Sequence, residues 1–160
     1  MPSFARLRSL VLLPVLSLTL LAGLTLVAPA ADASGYTRAQ RITKAVKVAL
    51  QQRGDHYRYG ASGPTAFDCS GLVQYSFRRA GLKIPRTSRD QAHRARRIAK
   101  SHLRRGDLMF FTNGGRVYHV AMFIGRAKGK IRMLHAPSTG KRVRIDHPWT
   151  NKWFAGTLRR

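Results

Sequence analysis

Glutamate does not occur in this sequence, and its whole acidic complement is six aspartates. No carboxylate pair is on hand for acid–base work, so any such chemistry must fall to other side chains. Cysteine occurs once, at Cys69, which excludes an intramolecular disulfide. The spacings that bind zinc, Cys-x-x-Cys and His-x-x-x-His, are missing as well, and neither a metal nor any other cofactor is expected. Internal repeats, low-complexity tracts and a linker to a second domain are not found. With 14 glycines and 7 prolines the chain is neither collagen-like nor a disordered tail. What is left is one modest domain within 160 residues.

What is present in excess is positive charge. Twenty-two arginines and eight lysines give a formal charge of +24 and a pI near 11.9. Such a balance calls for anionic surroundings: nucleic acid, anionic lipid or an acidic wall polymer. The N-terminus narrows the choice. Arg6 and Arg8 precede an uncharged, Leu-rich run from Leu10 to Val27, followed by Ala28-Pro29-Ala30 and Ala31-Asp32-Ala33. A basic start, an apolar middle and a small-residue exit predict a secretory signal peptide over residues 1–33, cut after Ala30 or Ala33. An uncleaved membrane anchor is the alternative, because the run approaches the span of a bilayer; Pro14 and Gly23 within it favour cleavage. An exported protein does not meet its own genome, so nucleic acid is not an expected partner. A monomer is expected.

Exported proteins usually pair their cysteines or avoid them, and the surroundings of Cys69 suggest a reactive thiol. Asp68 is a good N-cap, and Leu72, Val73, Ser76, Phe77 and Ala80 follow at helical spacing, with Gly81 as the stop. Cys69 then lies in the first turn of a helix, where free N–H groups and the dipole lower a thiol's pKa. Asp68 acts in the opposite direction, so a neighbouring base is still needed.

Six histidines compete for that role: His56, His93, His102, His119, His135 and His147. His119 opens an apolar, β-forming run from Val120 to Gly125, which predicts an interior strand with the imidazole at its mouth. Gly125 to Lys130 reads as a turn and Ile131 to Ala136 as the returning strand. A hairpin centred near Ala127–Lys128 pairs residues whose numbers sum to 254–255. It would make His119 and His135 cross-strand neighbours. His135 could then fix the ring and tautomer of His119.

Upstream, Ile42, Ala45, Val46, Ala49 and Leu50 form one stripe of a helix over Thr37–Gln52. Tyr57 to Gly60 reads as extended. Thr87 or Ser88 can cap a short basic helix through Arg97. Leu108 to Phe111 is a strand, joined through Asn113-Gly114 to a strand over Val117–Gly125. Val143–Ile145 and Phe154–Leu158 complete about five antiparallel strands. Helices first and strands after predict an α+β fold.

Cys on a helix, then His and a polar residue on adjacent strands, resembles the logic of papain-like cysteine peptidases. More specifically, residues from about Thr37 to the C-terminus resemble the NlpC/P60 family of cell-wall peptidases. The likeness rests on Tyr57-Arg58-Tyr59-Gly60, Phe67-Asp68-Cys69-Ser70-Gly71-Leu72-Val73, Ile84-Pro85-Arg86-Thr87-Ser88 with Gln91, Arg105 to Phe111, His119 to Gly125, and His135-Ala136. The resemblance implies a papain-like NlpC/P60 catalytic domain over residues 34–160, with helices packed on the sheet. It implies Cys69 as nucleophile, His119 as general base and then acid, and His135 as the residue orienting it. Tyr57 would hydrogen-bond near the reacting centre, and Asp68 and Ser70 would hold the amine-bearing end of the peptide. The implied substrate is the stem peptide of peptidoglycan, cut beside a D-isoglutamyl or similar link. Two departures concern substrate fit: Tyr59-Gly60-Ala61 where the family has Trp-Gly-Gly, and Ala121 where it has Gly. A non-catalytic wall-binding module and a secreted polycation that binds anionic polymers are the alternatives. The basic surface, Arg94, Arg96 and Arg97 included, is expected to adhere to anionic wall polymer.

Overall fold

The computed structural model describes residues 35–159, so the signal segment expected over residues 1–33 lies outside the described residues. The first helix, α1 (Arg38–Gln51), starts at a reciprocal capping box: Thr37 accepts from the Gln40 N–H, and the Gln40 side chain accepts from the Thr37 N–H. Its buried stripe is Ile42, Ala45, Val46 and Ala49. Two short strands, β1 (His56–Tyr57) and β2 (Ala66–Phe67), pair in parallel beside the second helix, α2 (Cys69–Arg79). As expected, Asp68 caps α2, and Gly81 just beyond it has φ of 80°.

The basic segment after Pro85 departs from the single helix expected through Arg97. Thr87 caps α3 (Ser88–Arg94), and Arg96–Ile98 is a strand, β3. A run of Arg-Arg-Ile carries no alternation by which to recognise a strand; pairing with a distant partner makes it one. The others are β4 (Leu108–Asn113), β5 (Arg116–Ala127), β6 (Lys130–His135), β7 (Arg144–Asp146) and β8 (Trp153–Thr157). They form one six-stranded antiparallel sheet in the order β3-β8-β4-β5-β6-β7, one strand more than expected. The α+β class holds.

The helices pack on one face of this sheet, joining Phe67, Leu72 and Phe77 to Leu108, Phe110 and Val120 in the main core. Each of these phenylalanines is fully buried, a gain of about 2–3 kcal/mol apiece. The opposite face carries a smaller cluster around Met109, Phe111, Phe123, Met133 and Trp153.

Both hairpin turns differ in detail from the sequence reading. Asn113 ends β4, and Gly114-Gly115, both at positive φ, make the first turn. Lys128-Gly129, again both at positive φ, make the second. Near that turn Ala127 pairs with Lys130 and Gly125 with Arg132; beyond a bulge Met122 pairs with Leu134. Partner numbers therefore sum to 256–257, not 254–255. Continued outward, this register sets His135 opposite Ala121 and makes it a diagonal neighbour of His119.

Candidate active site

Cys69 sits at the first position of α2, and three contacts seat that turn. Asp68 Oδ1 accepts from Gly71 N–H at 2.7 Å, and Asp68 Oδ2 accepts from Gly60 N–H at 2.9 Å. The Ala61 carbonyl accepts from Asp68 N–H at 2.9 Å. Behind them lies Arg86, which donates to Asp68 Oδ1 at 2.9 Å, to Asp68 Oδ2 at 2.5 Å and to Ser70 Oγ at 3.0 Å. Burial alone would raise the Asp68 pKa, but the Arg86 and backbone hydrogen bonds outweigh it and hold the carboxyl below its usual range. Asp68 and Ser70 therefore stand in the wall of the site with their polar atoms already engaged by Arg86.

The thiol does not follow the helix-terminus expectation. Burial pushes its pKa up more than hydrogen bonds from Val120 N–H and Ser70 bring it down, and Asp68 adds to the rise. The histidine expected to act as base faces a similar constraint. Burial, reinforced by His135, pushes His119 down to about 3. A neutral thiol and a neutral imidazole lining one cleft are thus the resting arrangement at neutral pH.

His119 and His135 are both buried, and their facing atoms, Nε2 and Nδ1, lie 2.9 Å apart with the rings nearly perpendicular. His135 Nε2 lies 3.0 Å from Asp146 Oδ2, which also accepts from Arg144 Nε at 2.6 Å. Burial works to raise the Asp146 pKa, yet its bonds to His135 and Arg144 hold it low. An ionised carboxylate can only accept, and this assigns every proton in the chain. His135 carries its proton on Nε2 and gives it to Asp146; His135 Nδ1 then accepts from His119 Nε2–H. His119 Nδ1 is left as a free lone pair. The sequence reading reached His135 but missed Asp146.

A cleft of about 530 Å³ brings together Tyr57, Cys69, His119, His135, Asp146 and Trp149. A second lobe of about 380 Å³ is lined by Tyr57, Asp68, Cys69, Ser70 and Arg86. Tyr57, Cys69 and Tyr118 belong to both lobes, so the thiol stands where they meet. Tyr57 is held above its ordinary pKa, first by burial and then by Cys69 and Asp68, and stays a phenol. Trp149, also missed, stacks on His135 with ring centres 5.6 Å apart and on Phe111 at 4.3 Å, and meets the edge of His119 at 5.3 Å. Its indole covers the histidine pair. Tyr59, in one of the two departures noted above, is 87% exposed at the rim of the second lobe, so it alters the lip and not the buried histidine pair.

Solved structures with the same architecture include the peptidoglycan hydrolase RipB of Mycobacterium tuberculosis. It is 29% identical with a TM-score of 0.66, and the match covers 77% of this chain and 68% of that one. RipD of the same organism, described as a non-catalytic NlpC/p60 domain protein adapted to peptidoglycan binding, is 28% identical with a TM-score of 0.63 over 77% of this chain and 99% of that one. In sequence, the chain is 38% identical over 123 residues to murein DD-endopeptidase MepH of Escherichia coli (strain K12), covering 71% of this chain and 44% of MepH. The chain thus spans less than half the length of that relative. The model of the NlpC/P60 family itself matches residues 54–159, from the end of α1 to the end of the sheet, and so takes in every residue of the cleft just described. The chain belongs to the NlpC/P60 family.

Proposed function

We propose that this protein is a cysteine endopeptidase that hydrolyses stem peptides of peptidoglycan, beside a D-isoglutamyl or similar link. The observation that carries the reading is the hydrogen-bonded chain His119–His135–Asp146, which ends in a free imidazole nitrogen in the cleft that holds Cys69. A wall-binding module needs no such chain, and its presence favours catalysis over the binding role described for RipD.

In this mechanism His119 Nδ1 takes the Cys69 proton as Sγ attacks the amide carbon. The Cys69 N–H, the first of α2 and without an intrahelical acceptor, helps hold the oxyanion. The imidazolium formed is stabilised through His135 by the Asp146 carboxylate. It protonates the leaving amine as the C–N bond breaks. Water, deprotonated by His119, then cleaves the thioester and restores the thiol. The lobe walled by Asp68 and Ser70 receives the amine-bearing end of the peptide, with Arg86 offsetting much of the Asp68 charge. Tyr57 remains a donor beside the reacting carbonyl. Peptidoglycan lies outside the cytoplasm, so the reading includes export through residues 1–33 and attraction of the basic surface to anionic wall polymer.

Incubating isolated peptidoglycan with the protein should release new amino groups, and mass spectrometry of the muropeptides should identify the bond. Cys69→Ala should abolish release and leave the fold intact. His119→Ala should be nearly as damaging, whereas His135→Asn should keep residual activity. Equal release by wild type and Cys69→Ala would overturn the reading.

A further inference from the structure

Some guanidiniums are held by the protein itself: Arg38, Arg41, Arg142 and Arg159 donate to backbone carbonyls, and Arg86 and Arg144 to aspartates. Arg89, Arg97 and Arg116 are among the described arginines that are not, and what distinguishes them is that they converge on one cavity. They are exposed, and none of their guanidiniums donates a hydrogen bond to another described residue or pairs with a described carboxylate. Yet all three line one cavity of about 520 Å³, together with His93 and Phe154 and without any acidic residue. They come from separate elements: Arg89 from α3, Arg97 from β3 and Arg116 from the start of β5. Arg97 is fixed in place, its guanidinium 3.8 Å above the Phe154 ring. The nearest acid in sequence, Asp90, is bonded to Thr87.

We propose that this cavity is a phosphate-binding exosite, separate from the catalytic lobes, which holds a phosphodiester polymer of the wall. Three unpaired guanidiniums around one volume supply a positive field and up to fifteen N–H donors, about five for each arginine. The oxygens of a phosphate diverge tetrahedrally, so arginines from different elements can share one group. A planar carboxylate offers its oxygens in one plane and matches a single fork. Nucleic acid is disfavoured because the one phenyl ring here, Phe154, has Arg97 over one face and Phe110 packed against it at 5.3 Å, which takes it away from a base. The inference deepens the reading that the basic surface meets anionic polymer, and rests on that part of it. It does not require the peptidase chemistry.

The test is binding of poly(glycerol phosphate) to the full chain carrying Cys69→Ala, followed as a function of salt. Combined Arg89→Gln, Arg97→Gln and Arg116→Gln should weaken binding at least tenfold and reduce the salt slope by about 2. A control of equal charge, Arg53→Gln, Arg79→Gln and Arg126→Gln, should change affinity less than about threefold. Because Arg97 also packs on Phe154, Arg116→Gln alone, at an exposed turn, should give part of the same loss without unfolding. Equal weakening by both triple variants would overturn the site but leave the general attraction standing. No binding of the polymer to the parent chain would overturn both. Equal or tighter binding of polygalacturonate or of oligodeoxythymidylate would overturn the assignment to a wall phosphodiester.

Discussion

Each lobe of the cleft contains an aspartate gripped by an arginine, and the two pairs act differently. Asp68–Arg86 lies beneath the thiol, with the Asp68 side chain 9% exposed and the carboxylate bonded to backbone and guanidinium alike. Asp146–Arg144 lies on the histidine side, with side chains 30% and 48% exposed, and the remaining bond of its carboxylate goes to an imidazole. The same two residue types therefore serve as a brace in one place and as a proton-setting device in the other. Depth and the third partner decide which. Where the third partner is backbone, the pair fixes a shape; where it is His135, the pair fixes a tautomer.

Breaking the deep pair should have the larger effect. Asp68→Ala removes the cap of α2 and leaves Arg86 and two backbone N–H groups without their acceptor. A loss of about 3 kcal/mol is expected, read as a shift of the urea unfolding midpoint. An unchanged midpoint would show that the brace is not needed. On the other side, Asp146→Asn should leave the midpoint nearly in place while kcat falls about tenfold to a hundredfold. An amide can donate to His135 Nε2 and so reverse the proton order along the chain. Nitrogen-15 shifts of the imidazoles should report that reversal; if kcat falls with the tautomers unchanged, the assignment fails.

The buried histidine pair also sets how stability responds to acid. His119 is depressed from 6.5 to about 3 by burial and His135, so below pH 6.5 the unfolded chain binds a proton that the native state refuses. Stability is full above that pH and declines as pH falls from 6.5 toward 3. Asp68 and Asp146, both held low, add to the loss only below their ordinary range near 3.8. Thermal unfolding of His119→Gln should therefore show a flatter pH dependence between 6.5 and 4 than the parent. The smallest effect is reserved for Arg144→Gln. A half-exposed partner contributes about 0.5 kcal/mol, and kcat should change less than about threefold as long as Asp146 stays ionised.

Local chemistry made much of this legible. The Asp68 cap, the apolar spacing after Cys69 and the Gly81 stop are all carried by neighbours in the chain, and the helix formed where they placed it. The His119–His135 contact was reached by a register that is two numbers off. It survived because a diagonal pair on one face of a sheet is still within reach of two imidazoles. Asp146 and Trp149 carry no local signal at all. They meet the histidines only because β7 pairs with β6 and the following segment folds back, and such long-range closure leaves no periodicity to read. The scarcity of acids pointed away from carboxylates altogether, yet one of the six aspartates, Asp146, ends the histidine chain.

One small contact at α2 has a wider meaning. A Cβ on Gly71 would stand 2.0 Å from the Ala61 carbonyl oxygen, and that same oxygen receives the Asp68 N–H and lies 3.4 Å from Arg86 Nη2. The loop over residues 58–61 therefore rests on bare helix backbone with no side chain between them. Substitutions in this frame should thereby fall into two zones. The rim, where Tyr59 projects, can be exchanged to suit new substrates, while the seat beneath it has no room for even one added carbon.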